Sequence, residues 1–245
     1  MSFIRIIPSL LLLNKKLVKG TNFKNYKNAG NPKTTISALN SQKADEIFIT
    51  DIEGYKGNEP DYLTLNEISK TCNTPMTFAG GLNELKKIKK AFKNGADKIY
   101  ICSALHKNIK LIEKTAKIFG SQSVVGGVNV IKEKNKYYLF NQKNNINPID
   151  FANFLVDSGI GELKVTFVNL EGTRKGLDLN FCSKINSKIS IPIIFEGGIG
   201  NLNDIESAIK IGVKNIALGT MIIFSDYNIF KIKQHLFNKG MNVRI

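Results

Sequence analysis

The chain has 245 residues, 42% hydrophobic and 22% charged, with no repetitive or Gly/Pro-rich tract, which allows a substantial core and excludes a disordered linker. Its 35 lysines and arginines against 20 acids give a formal charge of +15, but the lysines are scattered among asparagines and isoleucines, which argues against nucleic acid and for attraction of small anions. Cys72, Cys102 and Cys182 lack CxxC spacing and His106 and His235 are the only histidines, so no disulfide framework, metal or other cofactor is expected, and a reducing cytoplasm fits best.

The first apolar stretch, 4–13, contains Pro8, has only Arg5 as a preceding base and lacks a small-residue cleavage site; it reads as a strand rather than a secretory segment. No run reaches the ~20 apolar residues of a membrane span, so no membrane association is expected. Further short apolar, β-branched runs follow at 46–51, 75–79, 98–102, 124–130, 163–168, 192–196 and 215–219, with amphipathic stretches such as 82–94 and 203–211 between them. Eight strands with crossover helices imply a parallel sheet.

The two halves echo each other. Phe78-Ala79-Gly80-Gly81-Leu82 matches Phe195-Glu196-Gly197-Gly198-Ile199, and Glu53-Gly54 matches Glu171-Gly172, at separations near 117 residues. Segments 95–104 and 212–221 keep that spacing, so the expected fold is a (βα)8 TIM barrel over residues 1–245, one domain built from two half-barrel repeats. A doubly wound open sheet is the alternative, and it leaves the repeat unexplained.

In a barrel the chemistry lies where strands end, and Gly80-Gly81 and Gly197-Gly198 fall just past the third and seventh strands. Glycine there lets backbone N–H groups approach a phosphate, while Ser103 and Thr220 after the next strands add hydroxyls. Either pair alone reads as a chain turn with a helix-capping hydroxyl. Recurrence in both halves points to a mouth for a phosphorylated small molecule.

Arg5-Ile6-Ile7-Pro8, Val18-Lys19-Gly20, Gly95-Ala96-Asp97-Lys98, Phe119-Gly120-Ser121-Gln122, Glu171-Gly172-Thr173 and Gly197-Gly198-Ile199-Gly200 together resemble the cyclase subunit of imidazole glycerol phosphate synthase along nearly the whole chain. The resemblance implies a substrate with two phosphates and ammonia delivered through the barrel from a glutaminase subunit on the N-terminal face. It places an ammonia gate at Arg5, Glu46, Lys98 and Glu162, a glutaminase contact at Asp97 and a substrate-loop role at Lys19. It adds Gly172, Thr173 and Gly219 to the expected phosphate set. Any one gate residue alone would read as a strand-end ion pair of little worth.

The family's two catalytic aspartates, at the ends of strands one and five, fall on Leu11 and Asn129. Leucine cannot transfer a proton and asparagine cannot ionise, so ring closure is expected to be crippled; Asp51, at the end of strand two, is the nearest carboxylate that could assist. Leu10-Leu11-Leu12 resembles a divergent branch associated with glycosyl amidation, in which barrel and glutaminase supply ammonia to a separate sugar amidotransferase. Three readings stand: an ammonia-delivering subunit of that kind, a working histidine-pathway cyclase with relocated acid and base, and a phosphate-binding or regulatory barrel.

Loop one, 14–32, carries Lys15, Lys16, Lys19, Lys24 and Lys27 and is expected to act as a lid, with the lysines other than Lys19 as a solvated face. Segment 131–147, with Tyr137-Tyr138-Leu139-Phe140, reads as a small hairpin. His106 and His235 are expected to be ordinary helix residues.

Overall fold

The structure, a computed structural model, describes residues 3–102, 108–142 and 146–245. Eight parallel strands close on themselves: β1 (Arg5–Leu13), β4 (Ile47–Asp51), β5 (Met76–Ala79), β6 (Lys98–Ile101), β7 (Val124–Glu133), β9 (Glu162–Phe167), β10 (Ile193–Glu196) and β11 (Asn215–Leu218). The closing seam pairs Arg5 with Asn215 through Pro8 with Leu218. Pro8 is tolerated because a parallel ladder does not ask every residue to donate to the same neighbour.

Most crossovers contain a helix. Among them are α1 (Pro32–Ser41), α3 (Tyr62–Ser69), α4 (Leu85–Lys93), α5 (Lys110–Phe119), α6 (Pro148–Asp157), α7 (Leu179–Asn186) and α8 (Leu202–Lys210), with α10 (Ile229–Asn238) after β11 and short turns α2 (Ile52–Tyr55) and α9 (Thr220–Ile223). Local sequence sets their starts: Asn31 accepts from Lys33 N and Thr34 N ahead of Pro32, and Asn201 with Asp204 forms a reciprocal capping box. Ile88, Ala91, Ile205 and Ala208 face the sheet while the lysines of α4 face water.

Side-chain alternation divides the interior from the helix-facing layer. Ile6, Leu10, Ile47, Phe78, Ile99, Leu163, Phe195 and Ile216 pack outward into the large core under the helices. Ile7, Phe48, Ala79, Tyr100, Val125, Ile194 and Ala217 form a separate cluster inside the barrel. Seven strands each supply one residue to that layer; β9 alternates Glu162, Lys164 and Thr166, and its Lys164 ammonium lies over the rings of Phe48 and Tyr100 at 4.5 and 5.1 Å.

Two hairpins rise from the C-terminal end. The expected long first loop is the hairpin β2 (Lys16–Thr21) and β3 (Lys24–Gly30), and the second pairs the end of β7 with β8 (Lys136–Leu139). The tight turns from β1 to β2, from β2 to β3 and from β7 to β8 place Asn14 and Lys15, Asn22 and Phe23, and Lys134 and Asn135 in the left-handed region, the geometry that matches strand twist in two-residue hairpins. Phe23 is a bulky residue held at φ 61°, and its ring meets Phe140 edge-on at 5.7 Å.

Candidate functional site

At the N-terminal end the four expected gate residues meet. Arg5 Nη1 and Lys98 Nζ both contact Glu46 Oε2, at 2.9 and 2.8 Å; Arg5 Nη2 pairs with Glu162 Oε1, and Lys98 Nζ lies 2.8 Å from Glu162 Oε2. Glu46 also accepts from Thr77 Oγ1 at 2.5 Å, and Arg5 Nε donates to Asn215 Oδ1 at 2.8 Å. The acids are buried while the bases keep about a quarter of their side chains exposed, so the two cations cap two carboxylates across the barrel floor. Burial alone would lower the Lys98 pKa, but Glu46 and Glu162 outweigh it and raise it. Asp97 is exposed beside this ring, with one carboxylate oxygen accepting from Met76 N at 2.8 Å.

At the opposite end a cavity of about 670 Å3 is lined by Leu11, Lys19, Asn129, Lys164, Glu171 and Glu196, among other residues, and reaches Gly80 and Gly81. Leu11 and Asn129 both face it, so the positions implied for the acid and base are present as an apolar wall and an amide. The two hairpins roof it through Phe23 and Phe140, and Asn22 N donates to Glu171 O at 2.9 Å.

Asp51 departs from expectation. Its carboxylate accepts from Glu53 N at 2.9 Å, Gly54 N at 3.2 Å and Asp61 N at 2.7 Å, making it the N-cap of α2 and a clip on the following loop. Burial raises its pKa against these hydrogen bonds, and it is absent from the cavity wall. A carboxylate tied to three backbone donors is a structural anchor, not a spare acid.

The glycine pairs also have a structural reason. Gly80 and Gly81 adopt φ of 110° and 68°, Gly197 and Gly198 of 110° and 104°. A Cβ on Gly80 would collide with Asp51 O, on Gly81 with Gly54 O, on Gly197 with Phe167 O and on Gly198 with Gly176 O. Each turn therefore rests on the backbone of the preceding strand-end loop, alike in both halves. Gly172, at φ 77°, lies equally close to Gly20 O, and Thr173 Oγ1 donates to Leu170 O at 2.7 Å. Ser103 and His106 lie outside the described residues. His235 contacts Glu206 at 2.6 Å, away from both ends of the interior.

Charge inside the mouth was the least anticipated feature. Lys164 Nζ pairs with Glu196, and Lys19 Nζ with Glu171; all four residues are buried. For Glu196, burial opposes ionisation, but Lys164 and Lys19 overcome it and pull the pKa down to about 2. For Lys19, burial dominates and lowers the pKa to about 8. Beside β10 and β11 this network borders a small pocket lined by Glu171, Glu196, Gly197, Gly198, Gly219 and Thr220. The sequence signal was a lysine between two apolar residues inside a strand, Leu163-Lys164-Val165.

Among the described residues no group of three or more His, Cys, Asp or Glu side chains could hold a metal, and no helix is long and apolar enough to cross a membrane. The sequence profile described as "Histidine biosynthesis protein" matches residues 5–228. Over 98% of both chains the sequence is 33% identical to a Campylobacter jejuni protein provisionally named imidazole glycerol phosphate synthase subunit hisF2. It is 32% identical to the imidazole glycerol phosphate synthase subunit HisF of Petrotoga mobilis and 31% identical to that of Chlorobium limicola, again over 98% of each chain.

Proposed function

From the premise that this chain belongs to the histidine biosynthesis protein family, among the HisF-like subunits of imidazole glycerol phosphate synthase, we propose that it delivers ammonia and does not itself close an imidazole ring. In this reading a glutaminase docks on the N-terminal face near Asp97, ammonia enters past Arg5, Glu46, Lys98 and Glu162, and the C-terminal mouth passes it to a separate sugar amidotransferase. The observation that carries the reading is the pairing of an intact floor ring with Leu11 and Asn129 on the cavity wall. Entry is preserved where proton transfer for ring closure is lost. Sequestration serves delivery because ammonia in bulk water near neutral pH is mostly the non-nucleophilic ammonium ion, whereas an enclosed apolar passage favours the neutral molecule. The ligand class for the mouth is a phosphorylated sugar, with its phosphate against the Gly80-Gly81 turn.

A working cyclase is the second reading, and one observation favours it: Glu171 and Glu196 place two carboxylates at the mouth. Both are already paired with lysines, which fits them poorly for proton exchange. The deciding experiment supplies the protein and its candidate glutaminase with the histidine-pathway nucleotide and excess ammonium, which bypasses the barrel interior. Absence of imidazole glycerol phosphate from folded protein, with no rescue of a histidine auxotroph, is the expected result. Turnover would overturn delivery and make the mouth carboxylates the relocated pair.

A further inference from the structure

Lys164 is a buried amine for which neither the fold nor ammonia delivery has a use. Its stem stands in the inner layer of the barrel, where other strands supply Phe48, Tyr100, Val125 and Ile194. Its Nζ is paired with Glu196 and lies 3.4 Å from Thr166 Oγ1, which also donates to Glu196 at 3.4 Å. The pair spans β9 and β10, strands already in register from Leu163 with Ile193 to Thr166 with Glu196. An apolar pair of similar volume would pack there without the desolvation cost of two charges, so stability does not account for the amine. Lys164, Thr166 and Glu196 all line the mouth cavity of about 670 Å3.

We propose that Lys164 is a catalytic amine that forms an imine with the open-chain carbonyl of a phosphorylated sugar held in the mouth. An amine enclosed by apolar rings and set beside a second cation is an environment in which lysines add to carbonyls. The second cation here is Lys19, close enough to feel the charges of Lys164 and Glu196. In the step, Nζ bonds to the carbonyl carbon to give a carbinolamine, and the carbon–oxygen bond then breaks. A lysine ammonium and a carbonyl become an iminium and water, with protons and charge conserved, so the cation opposite Glu196 is present before and after. Glu196 is held ionised against burial by Lys164 and Lys19, with a pKa of about 2, and is a fixed anion for the iminium. Lys19, lowered by burial to about 8, carries the protons that Nζ loses to the departing oxygen.

The same charges select the carbonyl. Lys164 is matched by Glu196 and Lys19 by Glu171, so a keto acid would set its carboxylate against two others with both lysines already taken, whereas the carbonyl of a sugar brings no charge. The ligand's phosphate then lies at the Gly80-Gly81 turn, which lines the same cavity three strands away around the ring. The imine rests on the proposed mouth ligand for that phosphate only and needs no ammonia delivery.

The test is borohydride reduction of the unmodified chain in the presence of dihydroxyacetone phosphate, read by intact mass and peptide mapping. A single adduct on Lys164 is expected. Lys164→Arg, which keeps a cation opposite Glu196, should lose it, and Lys19→Met should slow its formation by about tenfold or more. Mapping on the unmodified chain decides the matter even where a variant fails to fold. Adducts spread over exposed lysines with none on Lys164, or an adduct on Lys19 in its place, would overturn the amine assignment and leave the phosphate reading of the mouth standing. Equal labelling of Lys164 by dihydroxyacetone without phosphate, or by pyruvate, would overturn the sugar phosphate as its ligand.

Discussion

Lys164 on β9 lies level with Ile194 on the neighbouring strand β10, yet its ammonium pairs with Glu196 two residues further along. The lysine stem crosses the inner layer of the barrel and delivers its charge to the mouth, over the faces of Phe48 and Tyr100.

This pair predicts a reversal in acid stability. Glu196 has a folded pKa near 2, below its unfolded value of about 4.3, so its contribution is present above the unfolded pKa and lost as pH falls toward 2. In Lys164→Met the largest favourable charge is gone and burial raises the Glu196 pKa instead, so the variant should be less stable by about 3–5 kcal/mol at neutral pH and should narrow the gap on acidification. Urea unfolding of both proteins from pH 7 to pH 3 checks this; parallel profiles would contradict it.

At the floor, Lys98→Met leaves Glu46 and Glu162 sharing Arg5 alone. A loss of about 1–3 kcal/mol is expected, because the bases are partly solvated and the pairs correspondingly screened. On the delivery reading the same variant alters the activity of the associated glutaminase, which a glutamate-release assay with and without the barrel would measure.

Asp51→Ala should cost about 1–2 kcal/mol through loss of the α2 cap and leave binding of a phosphorylated ligand at the mouth unchanged. Calorimetric titration alongside thermal unfolding separates the two effects, and a large loss of affinity at intact stability would restore Asp51 as a ligand-facing group.

Gly198→Ala brings a Cβ into Gly176 O at φ 104°, a clash between backbone segments that cannot be relieved by a rotamer change, so loss of about 3 kcal/mol or more is expected. Gly212→Ala meets nothing closer than 3.4 Å at φ 91° and should cost only about 1–2 kcal/mol for the backbone conformation. Denaturant midpoints of the two variants give the comparison directly.

The eight strands and their order were legible because each is a short apolar, β-branched run, and the half-barrel echo survives in the glycine turns. The second hairpin was legible too, from Tyr137 to Phe140 set off by polar residues. The meeting of Arg5, Glu46, Lys98 and Glu162 followed from their places at strand starts together with the family resemblance. Asp51 misled because a carboxylate at a strand end reads as mouth-facing, whereas its partners are backbone donors up to ten residues later, at Asp61. Lys164 went unnoticed because a lone lysine in a strand ordinarily points to water. Only closure of the barrel makes both faces of β9 interior, and only the neighbouring strand supplies the carboxylate that makes the lysine tolerable there.

The glycine turns that lean on preceding loops make the rim of the barrel a chain of main-chain supports, set by Gly80 against Asp51 O and Gly197 against Phe167 O. None of these supports involves a side chain at position 11, 129, 164 or 196. The rim and the lining are therefore mechanically independent: a side chain at any of these four positions can be exchanged without loading the main-chain contacts that hold the outline of the mouth.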